Sequence, residues 1–230
     1  MRSDYRLLRI SGFIDSIIDN ADTMVHGLTE PGGIYLHIPF CLQKCAYCDF
    51  YSRTDLHRMS SFVNALIQEM HLTAGVLPGP FDTLYFGGGT PTVLGPERIH
   101  VLIDSIRSCF PFLPDAEITL EANPGTLTAE DLRTYRRIGV NRLHIGVQSF
   151  RDENLRFLGR IHKAADAVAG VKAARRAGFE NIGLDLIYGL PNQTPDDWRF
   201  ELKTAASLAP DHLSCYMLSY EPGTPLDRRR

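Results

Sequence analysis

Six short runs rich in β-branched and aromatic residues recur along the chain, and each is separated from the next by a stretch with helical patterning. The runs are "IYLHI" (Ile34 to Ile38), "TLYFG" (Thr83 to Gly87), "EITLE" (Glu117 to Glu121), "RLHIGV" (Arg142 to Val147), "IGLDLI" (Ile182 to Ile187) and "HLSCYML" (His212 to Leu218). The helical stretches carry their own punctuation. "TAEDLRTYRRIG" opens on Thr128 three residues before Asp131 and closes on two arginines and Gly139, a capping box at one end and a glycine stop at the other. "AADAVAGVKAARRAG" closes on Arg175, Arg176 and Gly178, and "TPDDWRFELKTAASLA" places Thr194 as N-cap and Pro195 at the first helical position.

Strand followed by helix followed by strand requires a parallel sheet built from right-handed crossovers, which makes the chain an α/β protein. Six strands are too few for an eight-fold barrel, so the expectation is an incomplete, open barrel or a doubly wound sheet. In both, ligands gather at the C-terminal ends of the strands. "PFC", "GGGTP", "ANPG", "QSF" and "YGLP" follow the first five runs in turn, so all five are expected on one rim. No internal repeat interrupts this scheme.

Composition narrows the class. A chain of 230 residues, 44% hydrophobic and 22% charged, is long enough for one substantial core. Its formal charge of −3 gives no electrostatic footprint for nucleic acid, and the terminal run Arg228 to Arg230 reads as a solvated tail. No apolar stretch approaches the roughly 18 residues of a membrane span. "LLRISGFIDSIIDN" is broken by Asp15 and Asp19, which argues against a signal peptide and for a short amphipathic helix. The cytoplasm is the expected compartment. Residues 1–33 read as an extension, 34–226 as the core domain and 227–230 as a tail.

Three of the five cysteines, Cys41, Cys45 and Cys48, fall inside "CLQKCAYC". In a reducing compartment clustered thiols bind metal or do redox work more often than they form disulfides. Structural zinc wants four ligands, usually from two separated pairs, and no second pair exists here. Three thiolates on one short loop suit a [4Fe–4S] cluster held at three of its irons. Cys109, at an apolar helix end, and Cys215, read as a buried strand position, stand apart from it. His37, His144, His162 and His212 have no metal-ligand spacing among themselves and read as packing or supporting residues.

The C-x3-C-x2-C triplet after a first strand, with Tyr47 directly before the third cysteine, resembles the signature of the radical S-adenosylmethionine (SAM) enzymes, and "FGGGTPTVL" resembles their glycine-rich segment. Beyond that superfamily, "YLHIPFCLQKCAYCDF", "FGGGTP", "EITLEANPGTLT", "GVNRLHIGVQSF", "LGRIHK" and "LDLIYGLPNQT" occur in one order and together resemble the oxygen-independent coproporphyrinogen III oxidase (HemN) and heme chaperone (HemW) group from Gly33 to Leu226. The resemblance implies a partial (β/α)6 barrel of open, parallel strands. It implies a cluster on Cys41, Cys45 and Cys48, and SAM on Tyr35, Tyr47, Gly88, Gly89, Thr90, Glu121, Gln148, Arg160 and Asp185. SAM presents an ammonium, a carboxylate, a ribose and an adenine, for which carboxylates, an amide and an arginine are complementary partners. Each residue also has a plainer reading: Glu121 and Asp185 as helix caps, Arg160 as an exposed helix residue, Gln148 as a loop hydrogen bonder, Tyr35 as core packing.

Two departures separate the branches of that group. The oxidase pattern adds a cysteine two residues after the third, where this chain has Asp49 and Phe50, and the oxidase's N-terminal extension is not evident in residues 1–33. The chaperone branch is therefore expected, with heme as its cargo, heme-acceptor proteins as partners and an electron donor that the sequence does not identify. The alternative is coproporphyrinogen III decarboxylation. The group also runs on well past "SYEPGTPL", into a region with a heme-associated motif, whereas the given sequence stops at Arg230. This span alone is therefore expected to hold heme poorly and to be marginally stable, and Met24 offers an alternative start.

Overall fold

The computed structural model describes residues 8–10, 30–77 and 79–229. Seven parallel strands form one sheet in chain order: β1 (Leu8–Ile10), β2 (Gly32–Ile38), β3 (Phe81–Gly88), β4 (Phe112–Ala122), β5 (Arg142–Gln148), β6 (Asn181–Tyr188) and β7 (His212–Met217). Six of them are the predicted runs: β2 to β6 are longer than predicted by one to five residues at an end, and β7 stops one residue short of Leu218. The seventh corrects the expected N-terminal helix: Leu8, Arg9 and Ile10 pair in parallel with Ile34, Tyr35 and Leu36. The open edge of β2 offered unpaired backbone groups, and a three-residue strand satisfies them. The rest of that predicted helix lies outside the described residues.

Among the described residues the α-helices are α1 (Met59–Thr73), α2 (Pro96–Cys109), α3 (Ala129–Arg137), α4 (Asp152–Leu158), α5 (Ala164–Arg176) and α6 (Pro195–Ser207). Thr128 and Thr194 cap α3 and α6 as expected, each hydroxyl accepting from the backbone N–H three residues on.

Alternation within the strands assigns the two faces. Leu84 and Phe86 of β3, Ile118 and Leu120 of β4, Leu143 and Ile145 of β5 and Leu184 and Leu186 of β6 are buried with Ile99, Leu102, Ile103 and Ile106 of α2 and Val171 and Ala174 of α5 in one core. Each such side chain contributes about 1.5–3 kcal/mol of burial. The intervening positions Tyr85, Glu121, His144, Asp185 and Ser214 line a cavity on the inner, concave side of the sheet instead. The sheet is thus apolar where helices cover it and carries its polar and titratable side chains where it opens.

The last strand breaks this rule. Leu213 and Cys215, on the face turned away from the cavity, are exposed, so the buried position expected for Cys215 is corrected. Its alternation matches the other strands, but β7 ends the sheet and its outer face is left uncovered.

Candidate functional site

The cavity at the C-terminal ends of the strands has a volume of about 750 Å³. Every predicted site residue except Tyr35 lines it: Cys41, Cys45, Tyr47, Cys48, Gly88, Gly89, Thr90, Glu121, Gln148, Arg160 and Asp185. Tyr35 is on β2, stacked on Tyr85 with ring centroids 5.8 Å apart and its hydroxyl 3.3 Å from His37 Nδ1. It backs the wall of the cavity without forming its surface.

The cysteine loop follows β2 directly. Its entry is fixed by two backbone hydrogen bonds to Phe40 and Ile38, from Thr90 and Gly89 at 2.8 Å each. Gly89 is required for that approach, because a Cβ there would stand 2.7 Å from the Phe40 carbonyl oxygen and 3.0 Å from Cys41 Sγ. All five cysteines are unpaired thiols. Burial pushes the Cys41 thiol up, against the Thr90 hydroxyl that donates to it at 3.6 Å, and burial likewise pushes Cys48 up against the backbone N–H of Phe50. Among the described residues no three His, Cys, Asp or Glu side chains converge on a single-ion site. A cubane does not require that convergence, since each thiolate takes a different iron.

Arg160 stands beside the thiols, just after α4. It donates to Cys45 Sγ at 3.5 Å and, through its other terminal nitrogen, to Asn123 Oδ1 and the Gly146 carbonyl at 2.6 Å each. Asn123 in turn donates to Thr90 Oγ1 at 2.8 Å. The cation is therefore immobilised between the ends of β4 and β5, and the solvent-exposed helical reading of Arg160 does not hold. Asn123 was not singled out in the sequence, although it sits in the strand-end motif "ANPG". Tyr47 packs beside Leu158 and Ile187, and burial raises its phenol above the usual range, against the pull of Arg160.

Glu121 and Asp185 cap no helix. Glu121 accepts from the Tyr85 hydroxyl at 2.8 Å and the Gly88 N–H at 3.2 Å, and burial still raises its carboxyl above the ordinary carboxylate range. Asp185 Oδ1 lies 2.6 Å from His144 Nε2. Gln148 ends β5 in a left-handed conformation, φ 67°, which costs a non-glycine residue of order 1–3 kcal/mol and persists only where its surroundings enforce it. The two residues that follow are tied to Glu201, a fully buried carboxylate on α6 that accepts from the Ser149 hydroxyl at 2.5 Å and the Phe150 N–H at 2.6 Å. Sequence reading missed Glu201; an acidic residue on the inner face of an amphipathic helix was the available signal.

Three thiols at the mouth of a cavity with mixed apolar and polar walls, a fixed cation against one of them, and carboxylates and an amide from successive strands fit a cluster with a zwitterionic nucleoside ligand. The chain belongs to the radical SAM superfamily, whose pattern it matches over residues 35–204.

Within that class the similarity is to proteins of heme metabolism. The chain is 42% identical over 197 residues to the heme chaperone HemW of Escherichia coli K12, covering 84% of this chain and 52% of that protein. It is 44% identical over 193 residues to HemW of Bacillus subtilis, covering 83% and 51%. Among solved structures, coproporphyrinogen III oxidase (HemN) from Escherichia coli superposes with a TM-score of 0.83 at 35% identity, over 91% of this chain and 49% of that one. Methylornithine synthase, at 17% identity and a TM-score of 0.63 over 84% of this chain and 55% of that one, shares the fold. The chain spans about half the length of the curated relatives it matches. No helix among the described residues is long and apolar enough to cross a membrane.

Proposed function

We propose that this chain carries the cluster- and SAM-binding barrel of a HemW-like heme chaperone, in which Cys41, Cys45 and Cys48 hold a [4Fe–4S] cluster and SAM occupies the adjoining cavity. The observation that carries the reading is the mouth of that cavity: three free thiols line it together with Asp49 and Phe50, where the oxidase pattern would supply a further thiol. A bound cluster would supply a one-electron route for reducing SAM. Arg160 offsets the negative charge that thiolates and cluster bring, and Thr90 donates to Cys41. Glu121 and Asp185 offer acceptors to ammonium and hydroxyl groups, with Gln148 completing the wall. Heme is the cargo and heme-acceptor proteins the partners, in the cytoplasm.

The similarity to HemN supports one other reading, decarboxylation of coproporphyrinogen III. Anaerobic reconstitution with iron and sulfide, followed by incubation with SAM, reductant and coproporphyrinogen III, separates the two. The chaperone reading expects no protoporphyrin fluorescence, and several turnovers of product would overturn it. Heme uptake followed by difference spectra is expected to be weak with this span alone; stoichiometric tight binding would put the heme site within the barrel.

A further inference from the structure

On the floor of the cavity, His144 is held on three sides. Its Nε2 lies 2.6 Å from Asp185 Oδ1, its Nδ1 lies 3.4 Å from an Arg142 terminal nitrogen, and its ring centroid is 6.0 Å from that of His212. Behind it Gly183 leaves the necessary space: a Cβ at that position would sit 2.4 Å from Nδ1 and 2.9 Å from Cε1. The ring is 7% exposed, and Arg142 is itself fixed by the Thr119 hydroxyl at 3.2 Å and Glu117 at 3.7 Å.

These contacts determine the tautomer. A guanidinium only donates, so Nδ1 facing Arg142 must be the acceptor, and the single proton of the neutral ring is on Nε2, pointing at Asp185. That hydrogen bond occupies Oδ1 and leaves Oδ2 of the cavity-lining carboxylate for a ligand. We propose that His144 is a positioning residue for SAM: as a neutral Nε2–H donor fixed by Arg142 and housed by Gly183, it orients Asp185 to accept from the ribose hydroxyls. The inference rests on the reading that SAM occupies this cavity.

The test compares the full chain with four variants, with SAM affinity measured by equilibrium dialysis on anaerobically reconstituted protein. His144→Ala lets Asp185 rotate and is expected to weaken SAM binding about tenfold. His144→Gln, whose amide can donate to the same oxygen, is expected to stay within about threefold of wild type. Asp185→Asn is expected to lose as much as His144→Ala, and the double variant His144→Ala/Asp185→Asn no more than either. In a separate measurement, ¹⁵N spectra of the SAM-free chain should contain several imidazoles held as the Nε2–H tautomer, His162 facing the Val147 carbonyl and His37 facing the Tyr51 carbonyl among them, and His144→Gln should remove one of these signals.

Undiminished SAM affinity in His144→Ala, or an Nδ1–H tautomer for the signal that His144→Gln removes, overturns the inference while the cavity's assignment survives. So does equal weakening by Ala and Gln, which would indicate packing alone. A wild-type chain that takes up no SAM overturns the reading of the cavity itself, and the inference with it.

Discussion

Removal of the Glu201 carboxylate should both destabilise the fold and loosen the cavity, and the size of the effect follows from the hydrogen bonds it receives. Its two oxygens accept from the Ser149 hydroxyl, the Phe150 N–H and, at 3.4 Å, Asn154 Nδ2. Glu201→Ala leaves a buried hydroxyl and a buried amide without acceptors, each at about 1–3 kcal/mol, and about 2–6 kcal/mol in all. Glu201→Gln is milder. Its carbonyl can serve Phe150, but its NH₂ then meets a Ser149 oxygen that already accepts from the Arg151 N–H at 3.1 Å and Asn154 at 3.0 Å; about 1–3 kcal/mol is expected. For a chain of this size each kcal/mol lowers Tm by roughly 2–4 °C, so the alanine variant should melt roughly 4–24 °C below wild type. The same turn holds Gln148 at φ 67°, so SAM affinity should fall in step with Tm. Thermal unfolding followed by circular dichroism, with equilibrium dialysis of SAM, measures both. A Glu201→Ala chain that melts within about 1 °C of wild type and binds SAM equally well would refute the reasoning.

Alanine at Cys41, Cys45 or Cys48 should abolish the broad visible absorbance of a reconstituted iron–sulfur cluster, whereas alanine at Cys109 or Cys215 should spare it; equal loss at all five positions would point to misfolding and away from ligation. Gly183→Ala should drive its new Cβ into the His144 ring, lowering stability by about 1–3 kcal/mol in denaturant titration and weakening SAM binding through Asp185. His162, with Nε2 donating to the Val147 carbonyl at 3.1 Å, has its pKa lowered to about 4 by burial and by the nearby Arg160 charge. The unfolded chain binds that proton near pH ~6.5 and the folded chain does not, so His162 withdraws up to roughly 3 kcal/mol of stability as pH falls from about 6.5 to about 4. Urea unfolding across that window should show a flatter profile for His162→Gln than for wild type.

Legibility in the sequence followed the range of the interactions. Strands β2 to β7 could be read because their periodicity is local, and the caps at Thr128 and Thr194 because each is completed within three residues. The cysteine triplet is legible for the same reason. Leu8–Ile10 was misread because its apolar pattern suits a helix as well as a strand, and only the open edge of β2 decides between them. Cys215 was misplaced because burial depends on what covers a strand face, which the strand's own alternation does not encode.

By itself, then, the sequence determined the alternation of strand and helix, the parallel sheet, the rim on which the motifs meet and the triplet of thiols beside Phe50. Tertiary structure alone decided the pairings across that rim: Arg160 with Cys45 over 115 positions, Glu201 with Ser149 over 52 and His144 with Asp185 over 41. The physical reason is that a side chain's type and spacing are properties of a segment, whereas the partner that fixes its proton, charge or rotamer is brought in by the curvature of the whole sheet.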